Sequence, residues 1–330
     1  MPTSHYPDWD SFEFPAAAAE ADPDPGSGAA GAPVAFCADL SPASVLGAYR
    51  RGIIPLPVSD DYFRTLNEFR YEDQVAAGTI GIVGDEGADP YWVAWWSPDP
   101  RPVIGAGEVH LGRNVRKRLR RDALITSADA AFREVAEACR EGREPRWLTD
   151  PLLETLVELH GAGWAHSIEV WRGDDLVGGA IGIGIDGVFS GDSLFGRPPG
   201  VAAIAVADMS ARLVASGGVL IDAQWEGPLL RSLGAVPMAR ERYLQLLDRP
   251  PEPLSIPAGR LPADHSRLVV AVGPGQQQAG CRPGRSDHHP PLGAAVVRLR
   301  RGVLHQLEAQ HVHEEADGRV VLADHQRDEA

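Results

Sequence analysis

The chain has 330 residues, 44% of them hydrophobic, with 31 Lys and Arg against 46 Asp and Glu for a formal net charge of −15. This composition excludes a fibrous or wholly disordered chain and supplies a core for about two domains. The acidic balance argues against a general nucleic-acid coat, because counterion release needs clustered cations facing phosphates.

Residues 1–33 are rich in Ala, Pro, Gly and Asp, hold no basic residue, and are expected to form a disordered acidic leader. Ser41 and Pro42 open a helix over 42–51, stopped by Gly52. A strand is predicted over 92–96, ending before Pro98. Ser127 or Asp129 caps a helix in which Phe132, Val135, Ala136 and Cys139 recur at helical spacing. Asp150 and Pro151 open another, with Leu152, Leu153, Leu156 and Leu159 on one face and Gly161 at its end. The period then changes to three strands, 166–171, 176–185 and 188–195, the last two joined by the hairpin signal Asp186-Gly187. A helix over 201–216, a strand over 219–224 and a helix over 240–247 follow. An antiparallel meander followed by a helix and a further strand implies an α+β layer with the helix packed on the sheet. Residues 249–330 are rich in Pro, Gly and His and are expected to stay outside the core as a poorly ordered tail.

Three cysteines, Cys37, Cys139 and Cys281, are too scattered for a disulfide framework or a Cys-x-x-Cys site, which points to a reducing cytoplasm. No Lys or Arg precedes Arg50, so the positive segment of a secretory signal is missing. The uncharged runs 176–185 and 198–207 reach half of the roughly 20 residues a membrane span needs, and no membrane partner is expected.

Gly182-x-Gly184-x-x-Gly187 matches the dinucleotide string but crosses a strand end and a hairpin turn, so close backbone packing explains it. Gly191-Asp192-Ser193-Leu194 spells the GDSL esterase signature, yet none of the 11 histidines follows an Asp by three residues, and Ser193 lacks a base. Arg197-x-x-Gly200-x-Ala202 sits between a strand and a helix, where acyltransferases of the GNAT type hold the CoA pyrophosphate, although Pro198 and Pro199 supply no N–H groups to such a cradle. The pairs His288/His289 and His311/His313 fall in the tail without a scaffold, so no metal site is expected. Arg113, Arg116, Lys117, Arg118, Arg120 and Arg121 form a basic segment in an acidic chain. On a helix, Arg113, Lys117 and Arg120 or Arg121 share one side, as either a phosphate-binding stripe or a solvated face.

Several blocks together resemble one family, the leucyl/phenylalanyl-tRNA protein transferases. They are Asp39-Leu-Ser-Pro, Ala48-Tyr-Arg-Arg-Gly-Ile-Ile-Pro55, Trp95-Trp-Ser-Pro-Asp-Pro-Arg101, Leu159-His-x-x-Gly-x-Ala-His-Ser-Ile-Glu-Val-Trp171, Leu176-Val-Gly-Gly179, Gly191-Asp-Ser-Leu-Phe195, Leu220-Ile-Asp-Ala-Gln224 and Ser232-Leu-Gly-Ala235, in family order over about 36–248. The resemblance implies an α+β fold with a disordered leader (1–33), a small N-terminal subdomain (34–98), a GNAT-like antiparallel or mixed-sheet catalytic domain that binds no CoA (99–248) and the tail (249–330). It further implies a cofactor-independent, cytoplasmic, monomeric enzyme that binds no DNA. Its reaction would transfer leucine, phenylalanine or methionine from aminoacyl-tRNA to the N-terminal Arg or Lys of an acceptor protein, creating an N-degron.

By the same resemblance, Asp222 and Gln224 are the catalytic pair, expected to alternate along one strand and bond to each other. Asp192 stands where the family has an acidic acceptor-binding residue, the aminoacyl pocket falls on Trp147, Phe189, Met209, Leu213 and Ile221, and Arg113, Arg116, Lys117, Arg120 and Arg121 meet tRNA. The sequence departs from the family pattern at Leu56, Ala203, Ala223, Gly227 and Leu229, and carries a loop insertion over 59–89. A CoA-dependent acetyltransferase and a non-catalytic relative that binds tRNA or N-degrons remain the alternatives.

Overall fold

The computed structural model describes residues 9–14, 31–84, 87–142 and 146–268. Within the predicted leader, a turn of 3-10 helix at Trp9–Ser11 buries Trp9 against Trp95, ring centroids 4.8 Å apart, and the Trp9 indole donates to Ser44 Oγ at 3.1 Å. That part of the leader is core, because a tryptophan of this size gains from burial even at the end of a polar segment. The expectations for residues 1–8 and 15–30 lie outside the described residues, as do those for Cys281, His288, His289, His311 and His313.

The N-terminal part runs β1 (Ala35–Phe36), α1 (Pro42–Arg50), β2 (Ile54–Pro57), α2 (Asp61–Ala76), β3 (Gly81–Ile82) and β4 (Val93–Trp96), with sheet order β2-β4-β1-β3. Ser41 caps α1 as expected, accepting from the Ser44 N–H at 3.3 Å. The segment 59–89 is not a plain loop. Asp60 accepts the Phe63 N–H at 3.1 Å and starts the 16-residue helix α2. Its buried positions are the polar Asn67 and Tyr71, while Tyr62 and Phe69 face solvent, so no apolar stripe announces it.

The larger part continues with β5 (Arg101–Gly105), α3 (Arg113–Arg121), β6 (Leu124–Ala128), α4 (Phe132–Arg140), α5 (Asp150–Gly161), β7 (Ala165–Arg172), β8 (Asp175–Ile185), β9 (Val188–Gly196), α6 (Val201–Ala215), β10 (Leu220–Asp222), α7 (Pro228–Ser232), β11 (Val236–Met238), α8 (Arg240–Leu247), β12 (Leu261–Pro262) and α9 (His265–Leu268). Its sheet has the order β11-β5-β10-β9-β8-β7-β6-β12, antiparallel except for the parallel pair β9/β10. Neither Ser127 nor Asp129 caps α4. Ser127 lies in β6 and donates to Glu169, while Asp129 accepts from the Ser167 N–H and pairs with His166.

One apolar cluster joins α4, α5 and the N-terminal sheet to one face of the large sheet, and a second lies under α6 on the other. The second cluster takes in Leu254, Ile256, Ala263 and Leu268, so the first part of the expected tail, up to 268, is anchored to the core by these four side chains while most of its other residues are exposed. The reason is electrostatic as well as apolar. Asp208 is wholly buried on α6, bonded by Arg212 Nε at 2.7 Å and by Arg267, whose Nη2 also reaches Thr126 Oγ1 at 2.7 Å. A buried carboxylate needs such partners, and the terminal segment supplies one of them.

Candidate active site

β9 and β10 set Ile221 opposite Phe189 and Asp222 opposite Ser190. Alternation sends Phe189 and Ile221 to the α6 side and turns Ser190 and Asp222 to the other. β10 ends at Asp222, whereas β9 runs on to Gly196. Two residues beyond Ser190, Asp192 is the extra residue of a β-bulge, since Ile181 faces Ser193 while Gly182 faces Gly191. The bulge leaves Asp192 without a partner on β8 and shifts the register of the residues that follow it.

Ser190 and Asp192 meet at Gln224. Its Nε2 donates to Asp192 Oδ1 at 2.7 Å and to Ser190 Oγ at 3.1 Å. Asp222 does not bond this amide directly, in contrast to the expectation from strand alternation. The strand has already ended, Gln224 takes φ 59°, and Asp222 Oδ1 accepts the Gln224 backbone N–H at 2.8 Å. Left-handed backbone at a non-glycine residue costs about 1 kcal/mol, and the carboxylate offsets it by holding that N–H. Asp222 Oδ2 accepts from Ser190 Oγ at 2.9 Å and from Arg101 Nη1 at 2.7 Å. Arg101 lies 4.3 Å over the Tyr243 ring and also donates to the Gly52 carbonyl, so the N-terminal part is wired into this network. Asp222 and Arg101 are both fully enclosed.

Asp192 is asymmetric. Its Oδ1 takes both the Gln224 amide and the Tyr49 hydroxyl, the latter at 2.5 Å, while Oδ2 is buried without a partner. Burial, assisted by the Asp222 charge, pushes the Asp192 pKa up to about 7 against the pull of the two hydrogen bonds. Burial and Asp192 together raise the Tyr49 phenol well above its ordinary value, keeping it a donor. Both Gln224 amide protons are committed to the protein, which leaves Oε1 to receive a hydrogen bond from an amine.

Of the expected pocket residues, Phe189, Met209, Leu213 and Ile221 share the cluster under α6. Gly182 makes room for the Phe189 ring, because a Cβ there would lie 2.7 Å from its Cζ. Trp147 belongs to the other cluster, with Trp95 and Trp225, so the structure does not bring all five together. The basic stripe forms as α3. Arg113, Lys117, Arg120 and Arg121 are exposed, Arg116 is half-buried, Leu119 anchors the helix, and Arg121 pairs with Asp122 at 2.7 Å. Helix α3 packs on α6 and α9, across the sheet from Gln224 and Asp192. The N-terminus of α6 is closed. Val201, Ala202 and Ala203 are at most 3% exposed, and a Cβ on Gly196 would lie 2.5 Å from the Ala202 nitrogen, leaving no room for a pyrophosphate.

Sequence reasoning does not single out Tyr49, Arg101, Ser190 or Tyr243. Tyr49 and Arg101 lie inside family blocks, and Ser190 sits two residues before Asp192 on a strand, so alternation places it on the same face. No signal marks Tyr243. Among the described residues, no group of three or more His, Cys, Asp or Glu is placed to hold a metal ion, and no helix is long and apolar enough to cross a membrane.

The family model described as leucyl/phenylalanyl-tRNA protein transferase matches residues 103–248. Curated proteins of that name are similar to this chain: one from Novosphingobium aromaticivorans is 34% identical over 265 residues, 78% of this chain and 89% of its own length. One from Chromohalobacter salexigens is 42% identical over 160 residues, 48% of this chain and 62% of its own length. One from Proteus mirabilis is 40% identical over 155 residues, covering 67% of that protein. The match thus spans about three fifths of the Chromohalobacter protein but nearly all of the Novosphingobium one. With Asp192, Asp222 and Gln224 assembled into one constellation on this fold, the chain belongs to the leucyl/phenylalanyl-tRNA protein transferase family.

Proposed function

We propose that the chain transfers leucine, phenylalanine or methionine from aminoacyl-tRNA to the N-terminal Arg or Lys of an acceptor protein, forming a peptide bond that marks the acceptor for degradation. The observation that carries this reading is the fixed Gln224 amide, with Oε1 as its one acceptor, beside a carboxylate that has one oxygen unpartnered. The unpartnered Asp192 Oδ2 suits the cationic side chain of the acceptor's first residue, while Gln224 Oε1 orients its neutral α-amine. The amine attacks the aminoacyl ester carbonyl, the C–N bond forms, the ester C–O bond breaks, and the leaving ribose oxygen takes the proton lost by the amine. Gln224 is the catalytic residue. Asp222 acts through it as a positioning residue, since an enclosed carboxylate touches no substrate. Alignment alone supplies several kcal/mol of barrier reduction, and replacing an ester by an amide is downhill.

The buried apolar cluster that holds Phe189, Met209, Leu213 and Ile221 is chemically suited to an unbranched or aromatic side chain, and the exposed α3 stripe suits the acceptor-stem phosphates. Purified protein given radiolabelled leucyl-tRNA and an Arg-starting peptide is expected to transfer label to the peptide, and Gln224→Ala to lose most of that turnover. Intact binding of both substrates without amide formation would leave a non-catalytic binding relative in its place.

A further inference from the structure

Helix α2 sits on the protein with its apolar residues turned outward. Asn67 and Tyr71 face the core, where the Asn67 amide donates to the Tyr91 carbonyl at 2.9 Å and the Tyr71 ring lies 5.7 Å from that of Phe36. At about 100° per residue, Tyr62, Leu66, Phe69 and Asp73 fall on the opposite side, within about 60° of one another. Tyr62 is 67% exposed and Phe69 77%, more than any other large apolar side chain among the described residues. A quarter turn away runs an acidic row, Asp61, Glu68 and Glu72, with Thr65 between the first two. Arg64 bonds Glu68 but is drawn inward onto Asp89 and the Tyr91 ring, while Asp61, Glu72 and Asp73 are exposed. Surface helices normally turn such aromatics to the core, so an outward row marks a surface with a partner.

Charge and size select the occupant. The carboxylates repel nucleic acid, and a second copy would set Asp61, Glu72 and Asp73 against their own kind. One face of this 16-residue helix, about 24 Å long and 10 Å wide, is also under a third of the roughly 800 Å² per partner that a stable dimer uses. The fitting occupant is apolar, basic and tethered. Residues 294–305 read Ala-Ala-Val-Val-Arg-Leu-Arg-Arg-Gly-Val-Leu-His, and no Asp or Glu occurs between Asp287 and Glu308. They lie outside the described residues, the last of which is Leu268. The 25 residues between Leu268 and Ala294 can span up to about 85 Å, against a radius of gyration of about 18 Å for a fold of this size. A tether raises the effective concentration into the millimolar range, so a face too small for a free partner suffices. We propose that residues 294–305 of this chain dock on the outer face of α2. Their apolar side chains cover Tyr62, Leu66 and Phe69, and Arg298, Arg300 and Arg301 meet the carboxylates beside them. Such docking needs neither leucyl-tRNA nor an acceptor protein.

The test places a photoreactive side chain on this face of the full-length protein, as Phe69→p-benzoylphenylalanine or Tyr62→p-benzoylphenylalanine. Both positions are exposed, so the described core is untouched. Irradiation at low micromolar concentration is expected to give a cross-link within one chain, mapped by mass spectrometry to residues 294–305. Combining Arg298→Glu, Arg300→Glu and Arg301→Glu is expected to lower its yield about fivefold, and high salt to lower it severalfold, because the pairing is screened. A cross-link between chains whose yield rises with protein concentration overturns the proposal and gives the face to a second copy. Cross-links confined to other parts of the chain, or none from either position, overturn it as well. So does a yield at 294–305 that the arginine reversals leave unchanged, since the contact would not then depend on the acidic row.

Discussion

The Tyr49 hydroxyl donates to Asp192 Oδ1 at 2.5 Å, joining α1 to the bulge of β9 across 143 residues of sequence. Because Gln224 uses the same oxygen, the other oxygen of Asp192 is left for a ligand. That division of the carboxylate makes stability, and in the proposed reading acceptor binding, depend on its charge.

In the proposed reading an Arg or Lys acceptor is held by a charged Asp192, whose pKa stands near 7 because it is buried. The KM for an Arg-starting peptide is expected to rise as pH falls below about 7, and Asp192→Asn to show a high KM without that dependence. Stability moves the opposite way. The folded pKa lies above the ordinary value of about 4, so the native state binds the proton more tightly and this group's contribution declines from about pH 4 to about pH 7. Asn keeps an oxygen for Tyr49 and Gln224, so the melting temperature of Asp192→Asn relative to wild type is expected to climb between pH 4 and pH 8. A difference that is flat with pH would count against the buried, raised carboxylate.

Arg101→Met strands the Asp222 charge in a fully enclosed site. Urea unfolding is expected to show a loss of about 3–5 kcal/mol. Adding Asp222→Asn is expected to recover part of it, since the unpaired charge is removed while the Gln224 backbone N–H keeps an acceptor. No recovery in the double variant would show that Arg101 matters chiefly through Gly52 and Tyr243.

Gly182→Ala drives a Cβ to within 2.1 Å of the Ser190 carbonyl oxygen and 2.7 Å of Phe189. The backbone contact cannot be relieved by a rotamer change, so a destabilisation of about 3 kcal/mol is expected by thermal melting. A melting temperature within a degree of wild type would show that β8 and β9 can part here.

Reversing Arg113 and Lys117 to Glu alters exposed positions only. Stability is expected to hold while tRNA affinity drops and the slope of log affinity against log salt flattens by about 2, one unit for each lost phosphate contact. An unchanged slope would mean that the stripe faces bulk water.

Ending the chain at residue 248 removes Leu254, Ile256, Ala263, Leu268 and the Arg267 partner of buried Asp208. Several kcal/mol of stability are expected to go, as melting would show, because apolar burial and a charge partner leave together. A truncated protein that melts with the full chain would make this segment an ornament of the second core.

Much of this is legible in the sequence where local signals agree with packing. Ser41 caps α1, the Leu152 to Leu159 stripe faces the core, and Asp186-Gly187 turns the β8/β9 hairpin. Helix α2 is not legible because its buried residues are Asn67 and Tyr71, held by the Tyr91 carbonyl and by aromatic packing rather than by an apolar face. β5 begins Arg101-Pro102, and a proline argues against a strand until its partners are known. At the site, residue types at Asp192, Asp222 and Gln224 can be matched to family blocks, but the left-handed turn at Gln224 cannot, since nothing in a glutamine announces positive φ. The Arg101 bridge to Gly52 is equally hidden, because it depends on two sheets meeting.

Phe189 and Ile221 lie on one side of the β9/β10 pair and Ser190 and Asp222 on the other, each adjacent in sequence to its counterpart. If the proposed transfer holds, a chain arranged in this way separates selection of the donated amino acid from the chemistry of joining it. Under the proposed reading, substitutions at Met209 or Leu213 act on the apolar cluster under α6, on the opposite side of the β9/β10 pair from Ser190 and Asp222. A library beneath α6 that changed which amino acid is transferred would bear out that division, and one that only lowered stability would make the cluster plain core.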